Sequence, residues 1–224
     1  MIISLNGLDD CGKTTQIKNI TKKYGDTWFA YSTIKLSREI ECLSPCCFHE
    51  WWFNTSKCEE FCDEIYSSIK AGFSNLRNDT ILDKGIATFD ARVWATLVIK
   101  GLSKKDAYEL LQKKKKQHGI QILEQERILL VKNERYNYKR NNSDYSPDEV
   151  ALYQRYQILQ KTFLKWLYNI GYSSALFTYP SVIPFPFNTS SPLPSLSLFI
   201  ISYLQPSMQV PIGISCNSRF FSNR

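Results

Sequence analysis

Gly7-Leu8-Asp9-Asp10-Cys11-Gly12-Lys13-Thr14 decides how this chain is read. The eight residues fit G-x-x-x-x-G-K-[ST] at every fixed position. Before them, Ile2 to Asn6 is a short apolar run suited to a buried strand. After them, Ile17 and Ile20 lie three apart and Tyr24-Gly25 supplies a stop, which predicts a helix over Lys13 to Tyr24. Strand, glycine loop and helix start is the context in which the pattern has a mechanism. Glycines let the backbone fold closely around phosphate oxygens, while amide N–H groups and the helix N-terminus supply positive potential. Lys13 is then placed to reach the β- and γ-phosphates of a nucleoside triphosphate, and Thr14 to ligate Mg²⁺. The expected triphosphate-binding set is Gly7, Leu8, Asp9, Asp10, Cys11, Gly12, Lys13, Thr14 and Thr15.

Outward from the loop, strand-like runs recur at Thr27 to Thr33, Thr80 to Asp83, Arg127 to Lys132 and Tyr172 to Thr178, and helical stretches separate most of them. Ser103 and Asp106 have capping-box spacing at the start of a helix ending near His118-Gly119. Ser146-Pro147-Asp148-Glu149 is the fuller version, and the helix after it places Val150, Tyr153, Tyr156, Leu159, Phe163, Trp166 and Ile170 on one face. Strands alternating with helices predict an α/β fold of parallel β-α-β units covered on both sides. The loop pattern by itself leaves kinases, GTPases, ATPases and motor domains open. A GTP switch is disfavoured, because Lys132-Asn133-Glu134-Arg135 does not match the guanine-reading N-K-x-D.

The 224 residues are 43% apolar, enough for one α/β domain with an appendage. Residues 1–179 are expected to form the phosphate-loop domain. From about residue 180 the character changes: 180–224 holds seven of the nine Pro, ten Ser, and only Arg219 and Arg224 as charges. Proline at such short intervals removes backbone donors, so a central helix or strand array is excluded there. The net charge of +7 is carried by residues 100–140, with twelve Lys/Arg against five Asp/Glu. Such a stretch suits nucleic acid, phosphorylated small molecules or a membrane surface. Nucleic acid ranks lowest, since no aromatic-basic RNA motif accompanies the lysines. No run approaches the ~20 apolar residues of a membrane-spanning helix. With no secretory signal and seven cysteines, reduced thiols and a cytoplasmic location are expected.

The stretch Ile3 to Gln16 resembles the opening of thymidylate kinases, whose loop has the form E-G-x-D-G-x-G-K-[ST]-T-Q. Ile81-Leu82-Asp83-Lys84-Gly85 stands where that family has D-R-[YFHW] after the third strand. The resemblance implies a three-layer P-loop NTPase fold with a central five-stranded parallel sheet, helices on both faces and a short lid. It implies phosphoryl transfer from MgATP to a nucleoside monophosphate, most simply dTMP to dTDP. Nucleotide substrates are the implied partners, and a homodimer is left open. Asp9 would lie near the acceptor sugar and the metal, and Thr14 and Asp83 would serve the metal. Lys84, replacing Arg, would grip the acceptor phosphate without the bidentate fork. Asn6 replaces the usual Glu, Asp10 the usual Gly, and Cys11 stands where some members carry a catalytic Arg. Members without that Arg use lid cations, for which Arg135, Lys139 and Arg140 are the candidates. The catalytic set implied is therefore Lys13, Asp9, Asp83, Arg135 and Arg140.

The acceptor site is thinner. Arg38, Phe53, Lys84, Thr88 and Arg92 are its candidates, with Arg92 where a Tyr is usual and Val93 where a Gln is usual. A different phosphorylated metabolite as acceptor, or an ATP-binding regulatory module without turnover, remain the alternatives. Cys42, Cys46, Cys47, His49, Cys58 and Cys62 do not have the short-knuckle spacing of a zinc site, and the cysteines among them read as buried thiols. Lys113 to Lys116 reads as a solvated helix surface, and His118 as a partner of the helix C-terminus.

Overall fold

The strand Ile2–Gly7 (β1) is buried from Ile3 onward on both of its faces, polar Ser4 and Asn6 included, as a strand at the centre of a covered parallel sheet should be. The computed structural model describes residues 2–9, 11–24, 29–31, 36–74, 76, 79–121, 126–132, 146–170 and 175–179. Met1–Thr178 forms one compact unit, which holds the phosphate loop and the helices around it. Asp10, the lid candidates Arg135, Lys139 and Arg140, and the tail at 180–224 lie outside the described residues.

β1 pairs in parallel with β3 (Thr80–Leu82) on one side and β4 (Glu126–Lys132) on the other, and β3 pairs in parallel with β2 (Phe29–Tyr31). With β5 (Ala175–Tyr179) the strand order is β2-β3-β1-β4-β5. The register sorts the side chains. Ile3 pairs with Ile81 and Leu5 with Ile128, while Ser4 pairs with Leu82 and Asn6 with Leu129. Because side chains alternate along a strand, these pairs lie on opposite faces. Leu82 and Leu129 join the large helical core, whereas buried Ile3, Leu5, Ile81, Ile128 and Leu130 stand apart from it. The second group faces α1 (Lys13–Tyr24), which packs on β1 and β2 and buries Ile17 and Ile20.

The first face is covered by α5 (Ile86–Ile99), which buries residues on nearly every side, as a helix enclosed between a sheet and other helices must. Around it pack α4 (Cys58–Phe73), α6 (Lys104–His118) and α7 (Pro147–Asn169). Two short helices, α2 (Arg38–Glu41) and α3 (Pro45–Glu50), lead to a π-helical turn, Trp51–Thr55. That turn puts Trp52 and Phe53 into the core: Trp52 stands edge-on to Phe61 at 4.9 Å and Phe53 edge-on to Tyr156 at 5.2 Å. Each side chain buried as fully as Phe61 contributes roughly 1.5–3 kcal/mol. Trp52 Nε1 donates to Thr96 Oγ1 at 2.9 Å, so the indole is buried without an orphaned donor. No helix among the described residues is long and apolar enough to cross a membrane.

Both predicted caps are present. Ser146 Oγ accepts from the Glu149 N–H at 3.3 Å, and Glu149 Oε2 accepts from the Ser146 N–H at 2.8 Å. Ser103 Oγ accepts from the Asp106 N–H at 3.1 Å, and Gly119 ends α6 at φ +62°.

Three expectations are corrected. The buried stripe of α7 runs through Tyr156, Gln160, Phe163, Leu164 and Leu167, while Trp166 and Ile170 are exposed. The Lys run is not wholly solvated: Lys114 Nζ donates to Asp63 at 2.7 Å, and Lys115 Nζ donates to Asp90 at 2.6 Å. These pairs clamp α6 onto α4 and α5, and His118 Nε2 joins Asp63 at 2.9 Å. Burial raises the Asp90 pKa, and Lys115 and the Tyr66 hydroxyl oppose that rise. Cys42, Cys46 and Cys47 are exposed, and only Cys11 and Cys62 are fully buried thiols among the described residues. Burial pushes the Cys62 pKa up to about 12. No group of three metal-binding His, Cys, Asp or Glu side chains converges among the described residues.

Candidate functional site

The loop begins where β1 runs out beside β4. Gly7 sits at φ +142°, and a Cβ there would lie 2.4 Å from the Leu130 carbonyl oxygen and 2.8 Å from Cys11 Sγ. Only glycine fits, because the obstacle is backbone. α1 starts at Lys13, so the loop residues lead into a helix N-terminus, where free amide donors and the helix dipole favour an anion. Lys13 is 5% exposed and turns back into the loop: its Nζ donates to the carbonyls of Gly7, at 3.1 Å, and Leu8, with Cys11 Sγ 3.5 Å away. These carbonyls satisfy an ammonium that burial would otherwise penalise. It is also placed to exchange them for phosphate oxygens.

Asp83 follows β3, and the sheet brings it to Thr14 at the start of α1. Thr14 Oγ1 donates to the Asp83 carboxylate at 3.3 and 3.4 Å, across 69 residues of sequence. A hydroxyl and a carboxylate are hard oxygen donors, the ligand chemistry Mg²⁺ takes alongside phosphate oxygens.

Asp9 is the meeting point of three elements. Its carboxylate accepts from Arg92 of α5, from the Tyr153 hydroxyl at 3.3 Å and from Gln157 Nε2 at 3.5 Å, the last two one turn apart on α7. The Asp9 side chain is 31% exposed. Burial pulls its pKa upward, but Arg92, Lys13 and Lys84 outweigh that and hold it well below the usual carboxylate range. Arg92 is 16% exposed and remains protonated: burial opposes its charge, and Asp9 more than offsets the burial. Its Nε is buried without a hydrogen-bond partner among the described residues. Lys84 feels the same cluster from the other side. The Arg92 charge first, then burial, bring its pKa down to about 8, against the opposing pull of Asp9. Lys13, Lys84 and Arg92 thus face Asp9 and Asp83, a net positive site suited to oxyanions.

Of the expected residues, the fold brings together Gly7, Leu8, Asp9, Cys11, Lys13, Thr14, Asp83, Lys84 and Arg92. Thr15 follows on the exposed first turn of α1, and Arg38 is exposed at the start of α2. Two acceptor candidates turn out to be interior. Phe53 is 2% exposed, with its ring against Tyr156 and His49, so it offers no face to a base. Thr88 is 1% exposed and its hydroxyl is engaged by Gly7 and Asn6. Sequence reasoning missed Gln157, which nothing in its neighbourhood marks, and counted Tyr153 only as part of an apolar stripe.

No protein-family model matches the chain, and no curated protein matches it by sequence. Solved structures do match. The chain is similar to thymidylate kinase from Candida albicans (16% identity, 80% of this chain and 84% of that one, TM-score 0.57). It is similar to deoxyadenosine kinase from M. mycoides with bound dATP (14% identity, 80% and 90%, TM-score 0.55). It is also similar to thymidylate kinase from Ehrlichia chaffeensis (10% identity, 92% and 97%, TM-score 0.50). At these identities the likeness is one of fold. The fold is the one that these thymidylate and deoxyadenosine kinases share.

Proposed function

We propose that this chain transfers a phosphoryl group from MgATP to a nucleoside monophosphate, with dTMP the first acceptor to test. The observation that carries this reading is the Thr14–Asp83 contact, which joins the loop to the carboxylate after β3 beside the Lys84 and Arg92 cations. In this reading Lys13 leaves the Gly7 and Leu8 carbonyls for the triphosphate, while loop amides and the α1 N-terminus hold the remaining oxygens. Thr14 and Asp83 would hold Mg²⁺, which neutralises phosphate charge when bound. Lys84 and Arg92 fix the acceptor phosphate, and Asp9 orients the acceptor sugar. Transfer in line between two held phosphates requires positioning and electrostatic stabilisation, with no covalent intermediate on the protein. Arg135, Lys139 and Arg140 are assigned to a lid that closes on the transferring group, over a sheet of five parallel strands. A cytoplasmic location and residues 180–224 as an appendage outside the kinase domain belong to the same reading.

A second reading, an ATP-binding regulatory module without turnover, is favoured by one observation: Asp9 is already occupied by Arg92, Tyr153 and Gln157. One experiment separates the two. Full-length protein is incubated with MgATP and a mixture of monophosphates, and products are read by mass spectrometry. A diphosphate product that falls roughly 10²–10³-fold in Lys13→Ala, with unchanged circular dichroism, supports the kinase. Tight ATP binding with no product supports the module, and product retained in Lys13→Ala overturns both.

A further inference from the structure

We propose that Thr88, oriented by Asn6, is a positioning residue of the phosphate loop, and that α5 thereby couples the donor side of the site to the acceptor side. The coupling half rests on the kinase reading above; the positioning half needs only nucleotide binding.

Gly7 is held from both sides. Its N–H donates to Thr88 Oγ1 at 3.2 Å, and its carbonyl accepts from Lys13 Nζ at 3.1 Å, so side chains fix the peptide groups flanking a φ of +142°. The two holds differ in kind. Lys13 must release the carbonyl when it turns to phosphate oxygens. Thr88 has no such competitor, because it is 1% exposed and closed off by Asn6, itself fully buried. Asn6 Oδ1 accepts from the Thr88 N–H at 3.2 Å and from the Thr88 hydroxyl at 3.1 Å, and Asn6 Nδ2 donates to Ser4 Oγ at 2.9 Å. The backbone N–H of Thr88, shared with the Gly85 carbonyl at 3.1 Å, can only donate, so the oxygen of the Asn6 amide and not its NH₂ suits the place facing it. With its proton given to Asn6, the Thr88 hydroxyl presents a lone pair to Gly7. The loop therefore keeps a fixed point while its lysine changes partners.

α5 meets the loop twice. Thr88 and Arg92 are four residues apart, on one face of the helix. The first binds Gly7 and the second binds Asp9. Lys84, just ahead of α5, belongs to the same acceptor cluster. An acceptor phosphate that draws on Lys84 and Arg92 pulls on the helix that holds Gly7, and linkage makes the effect reciprocal.

The test is calorimetry on the full chain, with a non-hydrolysable MgATP analogue as donor probe and dTMP as acceptor probe. In the wild type, dTMP should tighten analogue binding about fivefold or more. Thr88→Val, which keeps the shape and removes the hydroxyl, should weaken analogue binding about tenfold and bring the coupling close to one. Thr88→Ser should restore both, which a merely space-filling role would not require. Wild-type affinity in Thr88→Val, or failure of Thr88→Ser to rescue, overturns the proposal. Should Thr88→Val fail to fold, amide exchange on the wild type decides: the Gly7 N–H must stay protected with and without the analogue, and loss of protection on binding overturns it. A wild type that binds the analogue but not dTMP removes dTMP from the kinase reading and leaves the Thr88 affinity arm to decide the positioning role. A wild type that ignores both ligands overturns the kinase reading and this inference with it.

Discussion

In the proposed kinase reading the site has a donor half and an acceptor half, and the two are built by different means. The donor half, Gly7 to Thr14, is made of backbone: a glycine no other residue can replace, a helix N-terminus and a lysine folded onto main-chain carbonyls. The acceptor half is made of side chains from separate elements, with Arg92 from α5 and Tyr153 and Gln157 from α7 converging on Asp9. Backbone geometry needs particular residues at particular spacings, so it leaves a motif. Side-chain convergence needs only that packed helices present donors to one carboxylate, and it leaves none. The donor half should accordingly tolerate almost no substitution, and the acceptor half should fail in a graded way.

The largest effect is expected where backbone decides. Gly7→Ala drives a Cβ into the Leu130 carbonyl and forces an alanine to φ +142°. Neither can be relieved by a rotamer change. The strain is worth about 3 kcal/mol, so a lowered unfolding midpoint and loss of MgATP binding are expected together. A Gly7→Ala protein that binds nucleotide normally would show that the loop is softer than its contacts indicate, and the contrast between the halves would be lost.

Legibility divides along the same line. The loop, the helix beginning at Lys13 and the Ser146 capping box were readable because each is local: the residues that make the contact are neighbours in sequence. Asp83 was readable only through resemblance, because Ile81-Leu82-Asp83-Lys84-Gly85 stands where thymidylate kinases have D-R-[YFHW]. Thr88 was expected at the acceptor, but its spacing from Asp83 puts it on α5 without saying which face turns to β1. A 3.6-residue period allows adjacent registers for the α7 stripe, and the packing of α7 on α5 goes with the register in which Gln160 and Leu164 are buried and Trp166 stays 40% exposed. The Lys114–Asp63 and Lys115–Asp90 pairs could not be read at all, since each joins helices brought together by the tertiary fold.

A middle-sized effect is expected at Arg92. Arg92→Gln removes the nearest charge holding the Asp9 carboxyl low, leaving burial, which acts in the opposite direction, less opposed. A charge-assisted hydrogen bond is worth about 1.5–3 kcal/mol. The KM for the acceptor should therefore rise about 10–100-fold, while affinity for the MgATP analogue changes less than about threefold. An equal loss on both sides would mean that the donor half also depends on this side chain, and the division into backbone and side-chain halves would fall.

The smallest effect separates charge from geometry within the acceptor half. Arg92 and burial lower the Lys84 pKa to about 8, below that of a free lysine, so in the folded protein the ammonium is complete below pH 7 and is lost as pH rises through 8. Phosphate binding needs the charged form. The KM for the acceptor should therefore climb about tenfold between pH 7 and pH 9, one pH unit past the Lys84 pKa, with little change in nucleotide affinity, because the donor phosphates rest on loop amides and Lys13. Stability runs in the other direction. The unfolded lysine binds its proton more tightly, so the cost of burying the charge is fully present below pH 8 and is relieved as pH rises toward the unfolded value. Lys84→Arg should flatten the KM profile, since guanidinium does not titrate in this range, and should restore the bidentate fork the lysine lacks. A profile that keeps its inflection near pH 8 in Lys84→Arg would move the titrating group elsewhere and leave Arg92 as the principal phosphate cation of the acceptor half.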